Sequence, residues 1–93
     1  MDALPTKKPE IIDFSGWDVS KYNYYKVEIE SLTGSSPVLL DFGEIEYLDP
    51  PVITLIKDLV VRVYPVNTIH IKDYQNIEVQ LKAVGVFPFF MKK

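Results

Sequence analysis

Between Pro37 and Val63 the hydrophobic period of this chain changes once, and that change restricts the fold more than any other feature. Pro37-Val38-Leu39-Leu40-Asp41-Phe42 is an apolar run closed by Gly43. It is the pattern of a strand covered on both faces, as in a parallel sheet. A connecting loop follows, with Ile45 and Leu48 as apolar anchors, and Asp49-Pro50-Pro51 then opens a helix. Aspartate is a favoured N-cap, and proline suits the first helical turn, where its missing N–H costs nothing. Val52, Leu55, Ile56, Leu59, Val60 and Val63 form an i, i+3, i+4 stripe, with Lys57, Asp58 and Arg62 mostly opposite. Tyr64-Pro65 ends the helix, because a residue before proline avoids the helical region.

The flanking segments extend this strand–helix alternation. Residues 1–9 read as a flexible arm, since Pro5, Lys7, Lys8 and Pro9 oppose regular structure, and residues 10–93 as one domain. Glu10 to Ser15 is a short strand ending at Gly16. Asp18 or Ser20 then caps a helix on which Tyr22, Tyr25, Ile29 and Leu32 share a face, with Gly34 as the stop. The same residues allow a second reading. Tyr25 to Glu30 alternates apolar and charged, so a strand in a hairpin turning at residues 33–36 fits equally well. Thr68 to Lys72 is a strand with Ile69 and Ile71 on one face and Thr68, His70 and Lys72 on the other, hence half exposed or near an edge. Asn76 caps a last helix carrying Ile77, Leu81 and Val84, stopped by Gly85. Val86 to Met91 is an apolar tail, too apolar to be left in water; it packs on the sheet or completes an interface. Strands alternating with helices imply parallel pairing and right-handed crossovers.

Composition removes several classes of function. The net charge of −3 argues against general nucleic-acid binding, which needs clustered Lys and Arg. With no cysteine, disulfides, thiolate nucleophiles and cysteine metal sites are excluded, and a cytoplasmic location is expected. No run is long and apolar enough for a membrane span.

The residues that suggest chemistry each have a plainer reading. Asp41-Phe42-Gly43 spells a kinase triplet without the other parts of a kinase, so it is a strand end and a turn. His70, the only histidine, has no readable nucleophile or metal-ligand partner. Asp41, Glu44, Glu46 and Asp49 surround one loop but lack the spacing of a calcium loop, and read as solvated acids. No nucleophile–base pair can be assembled, so no enzyme activity, metal or cofactor is expected.

Leu39-Leu40-Asp41-Phe42-Gly43, Tyr47-Leu48, Asp49 and the helix from Val52 resemble the STAS family. Its pattern is a strand ending in Asp, a small loop, an apolar pair, and an Asp at a helix N-terminus. The resemblance extends over Thr68 to Lys72 and Asn76 to Gly85, and Glu10 to Gly16 fits the family's early strand. A STAS-like subgroup that accompanies histidine-kinase-type ATPases has a similar strand end, with a proline after the loop. The resemblance implies an α/β fold, a small mixed or parallel sheet of about three to four strands with about three helices. It favours the helical reading of residues 18–33.

The resemblance also implies a non-enzymatic, bacterial regulatory module of the anti-sigma-factor-antagonist type that binds another protein. Partners in the family include serine kinases of the histidine-kinase fold and the ATPase subunits of transporters. In the antagonists a serine at the position of Pro51 is phosphorylated, and its charge breaks partner binding. Pro50 and Pro51 have no hydroxyl, so that switch is not expected here, and Thr54 reads as a surface threonine. The partner surface is expected at Tyr47, Asp49, Pro51, Ile53 and Lys57, an aromatic and apolar centre with a polar rim. Homo-oligomerisation is left open. The alternative is a small-molecule or lipid-binding accessory domain, with the aromatic tail lining its pocket.

Overall fold

The computed structural model describes residues 9–92. The arm read over residues 1–9 lies outside the described residues except for Pro9. The elements run β1 (Glu10–Asp13), α1 (Tyr22–Glu30), β2 (Val38–Asp41), α2 (Pro50–Val63), β3 (Ile69–Lys72), α3 (Glu78–Ala83) and β4 (Phe90–Lys92). Short 3₁₀ turns precede α1, α3 and β4. The α/β expectation therefore holds, with four strands and three α-helices.

All strand pairs are parallel and the sheet order is β1-β2-β3-β4. Right-handed crossovers that always step the same way place every helix on one face of the sheet. Burial agrees. Ile12, Val38, Leu40, Ile69, Ile71 and Phe90 are buried beneath the helices, while Ile11, Asp13, Lys72 and Met91 are exposed. Leu39, Asp41 and His70 are half-buried on the open face. This corrects one expectation. The apolar run of β2 is that of a parallel strand, but it is covered on one face, because the sheet never reverses its winding. The half-exposed reading of β3 is right; the strand lies between β2 and β4 and not at an edge.

The α2 stripe is the centre of the core. Val52, Leu55, Ile56, Leu59, Val60 and Val63 are all buried. Residues 22–30 are helical, not a hairpin strand: Tyr25 and Ile29 are buried while Val27, between them, is 66% exposed. A strand would have put all three on one side. The helix ends before Gly34, whose positive φ of 79° and closeness to Val66 leave no room for a Cβ.

The expected caps differ in detail. Asp18 lies before the 3₁₀ turn that leads into α1, and its carboxylate accepts from Ser20 Oγ at 2.8 Å and makes no cap bond. Asn76 sits inside the 3₁₀ turn Gln75–Ile77 before α3 and does not cap it. The apolar tail becomes β4, paired with β3, and buries Phe90; Phe89 and Met91 stay exposed.

Candidate functional site

The loop after β2 and the first turn of α2 are built by three backbone constraints. Gly43, at φ 55°, lets this loop approach the loop after β1 so closely that a Cβ there would meet Ser15 Cβ at 2.3 Å. The Asp41 carboxylate accepts the Gly43 N–H at 3.0 Å and closes the turn. From the far side, the Gln80 amide of α3 brackets Leu48. Its Oε1 accepts the Leu48 N–H at 2.7 Å and its Nε2 donates to the Leu48 carbonyl at 3.2 Å. Leu48 itself is fully buried, which leaves its neighbour Tyr47 62% exposed.

Asp49 stands at the N-cap of α2 but makes no side-chain cap bond. A capping carboxylate accepts from the second or third helical N–H. Here Pro51 has removed the second. The Asp49 carboxylate accepts instead from Trp17 Nε1 at 2.9 Å. Trp17 belongs to an aromatic cluster at the C-terminal ends of β1 and β2. Phe14 stacks on Phe42 with centroids 5.9 Å apart and on Tyr25 at 4.9 Å, and Trp17 lies 5.5 Å from Tyr25.

That cluster occupies the place where open α/β sheets usually hold small ligands. Such crevices form outside the strand C-termini at the point where the strand order reverses. The order β1-β2-β3-β4 has no reversal, and Phe14, Phe42, Leu48 and Ile77 are buried at 0–1% exposure.

The expected site residues divide. Tyr47 and Lys57 are exposed, Asp49 and Pro51 are half-buried, and Ile53 is half-buried against the core. Ile53 therefore belongs mainly to the helix's inner side, and the outward stripe of α2 is Pro50, Thr54, Lys57 and Val61. Next to the helix start, Val19, Tyr22, Pro50, Pro51 and Thr54 line a shallow depression of about 450 Å³. Val19 and Tyr22 come from the turn before α1 and from its first residue, and no sequence pattern links them to α2. Their juxtaposition depends on α1 lying against α2, for which no local signal exists. The Thr54 hydroxyl donates back to the Pro50 carbonyl at 3.2 Å.

The remaining candidates are engaged locally. His70 Nε2 is 3.1 Å from Thr68 Oγ1 on the open sheet face. Among the described residues, no group of three His, Asp or Glu side chains is arranged to hold a metal ion, and no helix is long and apolar enough to cross a membrane. Comparison with protein-family models, with curated proteins and with solved structures returned no match.

Proposed function

We propose that this chain is a non-enzymatic protein-interaction module of STAS type that docks through the start of α2. The observation that carries the reading is the apolar depression of Val19, Tyr22, Pro50, Pro51 and Thr54, beside the exposed Tyr47 and Lys57. Aromatic and apolar anchors within a polar rim are what protein interfaces use. The proline pair also favours binding, because a surface already rigid loses less conformational entropy when it docks. A small-molecule or lipid site is the weaker reading. The strand C-termini are filled by the aromatic cluster, and the depression is shallow where small-ligand pockets are usually enclosed.

The STAS resemblance names the partner class as an ATPase or serine kinase of the histidine-kinase fold, or the ATPase subunit of a transporter. Binding is constitutive or gated by the partner, since Pro50 and Pro51 carry no hydroxyl to modify. The test is a binding titration against an ATPase of either type encoded beside this chain. Because Ile53 is half-buried, the informative variant pairs Tyr47→Ala with Lys57→Glu. Affinity at least tenfold weaker, with native circular dichroism, supports the surface; unchanged affinity places the interface elsewhere.

A further inference from the structure

We infer that the outer edge of β1 accepts an extended, basic segment of a partner protein as a fifth strand of the sheet. This surface is separate from the α2 start, so the inference stands or falls independently of the reading above.

The backbone supplies the first argument. Among the described residues, β1 pairs with β2 alone. Glu10 N–H donates to the Pro37 carbonyl and Phe14 N–H to the Asp41 carbonyl, both at 2.8 Å. In a parallel pair a residue turns its N–H and its carbonyl to the same neighbour, and alternate residues turn away. Residues 10, 12 and 14 therefore face β2, while Ile11 and Asp13 present their backbone groups outward. The Asp13 carbonyl is taken by the Tyr25 hydroxyl at 2.6 Å. The N–H and carbonyl of Ile11 and the N–H of Asp13 have no partner among the described residues. An edge of this kind is a template for strand addition.

The second argument is the space beside that edge. A groove of about 650 Å³ runs between β1 and the outer side of α1. Ile11 and Asp13 form its strand wall, and Lys21, Tyr24, Tyr25 and Glu28 its helical wall. An edge strand facing a helix across a groove is the arrangement in which an added peptide gains main-chain bonds on one side and side-chain contacts on the other.

Charge and aromatic character select the occupant. Asp13 is held below the usual carboxylate range by hydrogen bonds from the Ser15 side chain and backbone, so it is ionised at neutral pH. Glu28 lies across the groove and Glu10 is exposed at the same edge. The one cation of the lining, Lys21, donates to the Gly16 carbonyl at 3.1 Å. Tyr24 is 63% exposed and meets Tyr25 edge to face at 5.3 Å, offering a ring to a cation. A second copy paired edge to edge through the outward-facing Ile11 and Asp13 would bring the Asp13 carboxylates of both chains onto one face of the sheet, where like charges across strands are destabilising. Lys or Arg on alternate residues of an incoming segment share one face; on the α1 side they meet Glu10 and Glu28, and the residues between them lie beside Ile11 on the open face.

The experiment titrates the full chain with a labelled heptapeptide alternating Lys and Val, with an alternating Glu and Val peptide as control. Amide exchange is followed by NMR. The expected result is saturable binding of the Lys peptide, at least tenfold tighter than the Glu peptide, with new protection of the Ile11 and Asp13 amides. Ile11→Pro removes one outward N–H on an edge strand that tolerates proline, and should abolish the new protection of the Asp13 amide. Glu28→Lys, on the helix surface, should weaken binding at least threefold without touching the sheet. Equal binding of the two peptides, or none, overturns the proposal. So does protection of both amides in the free chain that is lost on removing residues 1–8, which would make the arm the occupant. Protection that grows with protein concentration would assign the edge to a second copy and overturn it equally.

Discussion

Trp17 Nε1 donates to the Asp49 carboxylate at 2.9 Å, joining the loop after β1 to the first turn of α2 across the aromatic cluster. Pro51 removes one of the two N–H groups this carboxylate could cap, and the side chain makes the bond to Trp17 and no cap bond. A residue placed for a local role thus makes a long-range one, and the proposed docking surface is tied to the loop after β1 through it.

Asp49→Ala should cost about 1.5–3 kcal/mol, the range for a hydrogen bond to a charged group. Asp49→Asn keeps an acceptor oxygen and should retain most of the stability. The chain has one tryptophan, so its fluorescence reports the site directly. A shift to longer wavelength is expected in the alanine variant only. Equal denaturation midpoints for all three proteins would show that the bond contributes nothing.

Tyr25 supplies the clearest pH dependence. Burial pushes its hydroxyl above the ordinary tyrosine value of 10.0, with Asp13, Glu28 and Tyr24 adding in the same direction. The folded state holds the proton more tightly than the unfolded chain, so this stabilisation is complete below the unfolded value and declines as pH rises through the folded one. Tyr25→Phe should lower stability at neutral pH by about 0.5–1.5 kcal/mol through loss of the bond to the Asp13 carbonyl. It should also flatten the alkaline fall in melting temperature. Asp13 acts with the opposite sign: its lowered value makes a contribution present above the unfolded carboxylate range and lost as pH falls. Asp13→Asn should flatten the acid limb. Unaltered pH profiles in both variants would contradict these assignments.

Gln80 positions the loop without touching the expected partner surface. Gln80→Ala leaves the Leu48 N–H and carbonyl without their side-chain partners, at a cost of about 1–3 kcal/mol. Tyr47 and Asp49 flank Leu48, so partner affinity should fall with stability. Gln80→Glu, which retains the acceptor for the N–H, should recover part of both. Hydrogen exchange at Leu48 checks the cause: it should rise in the alanine variant.

The core predictions test α2 and the tail separately. Leu55→Ala and Leu59→Ala should each destabilise by about 2–5 kcal/mol, since both residues are at most 2% exposed. Phe90→Ala should cost about 3–5 kcal/mol, whereas Met91→Ala, on the open face at 52% exposure, should change little. Matching denaturant midpoints for the Phe90 and Met91 variants would mean that the tail does not dock as β4.

Much of the architecture is legible in the sequence alone. The proline pair and the stripe place the start and the buried face of α2, because each signal acts within one or two turns of chain, although Asp49 makes no cap bond and Tyr64, before Pro65, keeps helical backbone angles. The strand Ile69–Lys72 and its inward face follow from local alternation in the same way, whereas the apolar run at Val38–Asp41 marks a strand but not which face is covered. Tertiary structure decided what local signals leave degenerate. Residues 22–30 carry both a helical and a strand period, and only tertiary packing, of Tyr25 on Phe14 and Trp17 and of α1 on α2, buries Tyr25 and Ile29 while turning Val27 outward. The tail is apolar under either reading, and pairing with β3 makes it a strand. The one-sided sheet, the edge of β1 unpaired among the described residues and the meeting of Val19 with Pro50 arise from strand order. That order is set by contacts between residues far apart in the chain, and no window of neighbouring residues encodes it.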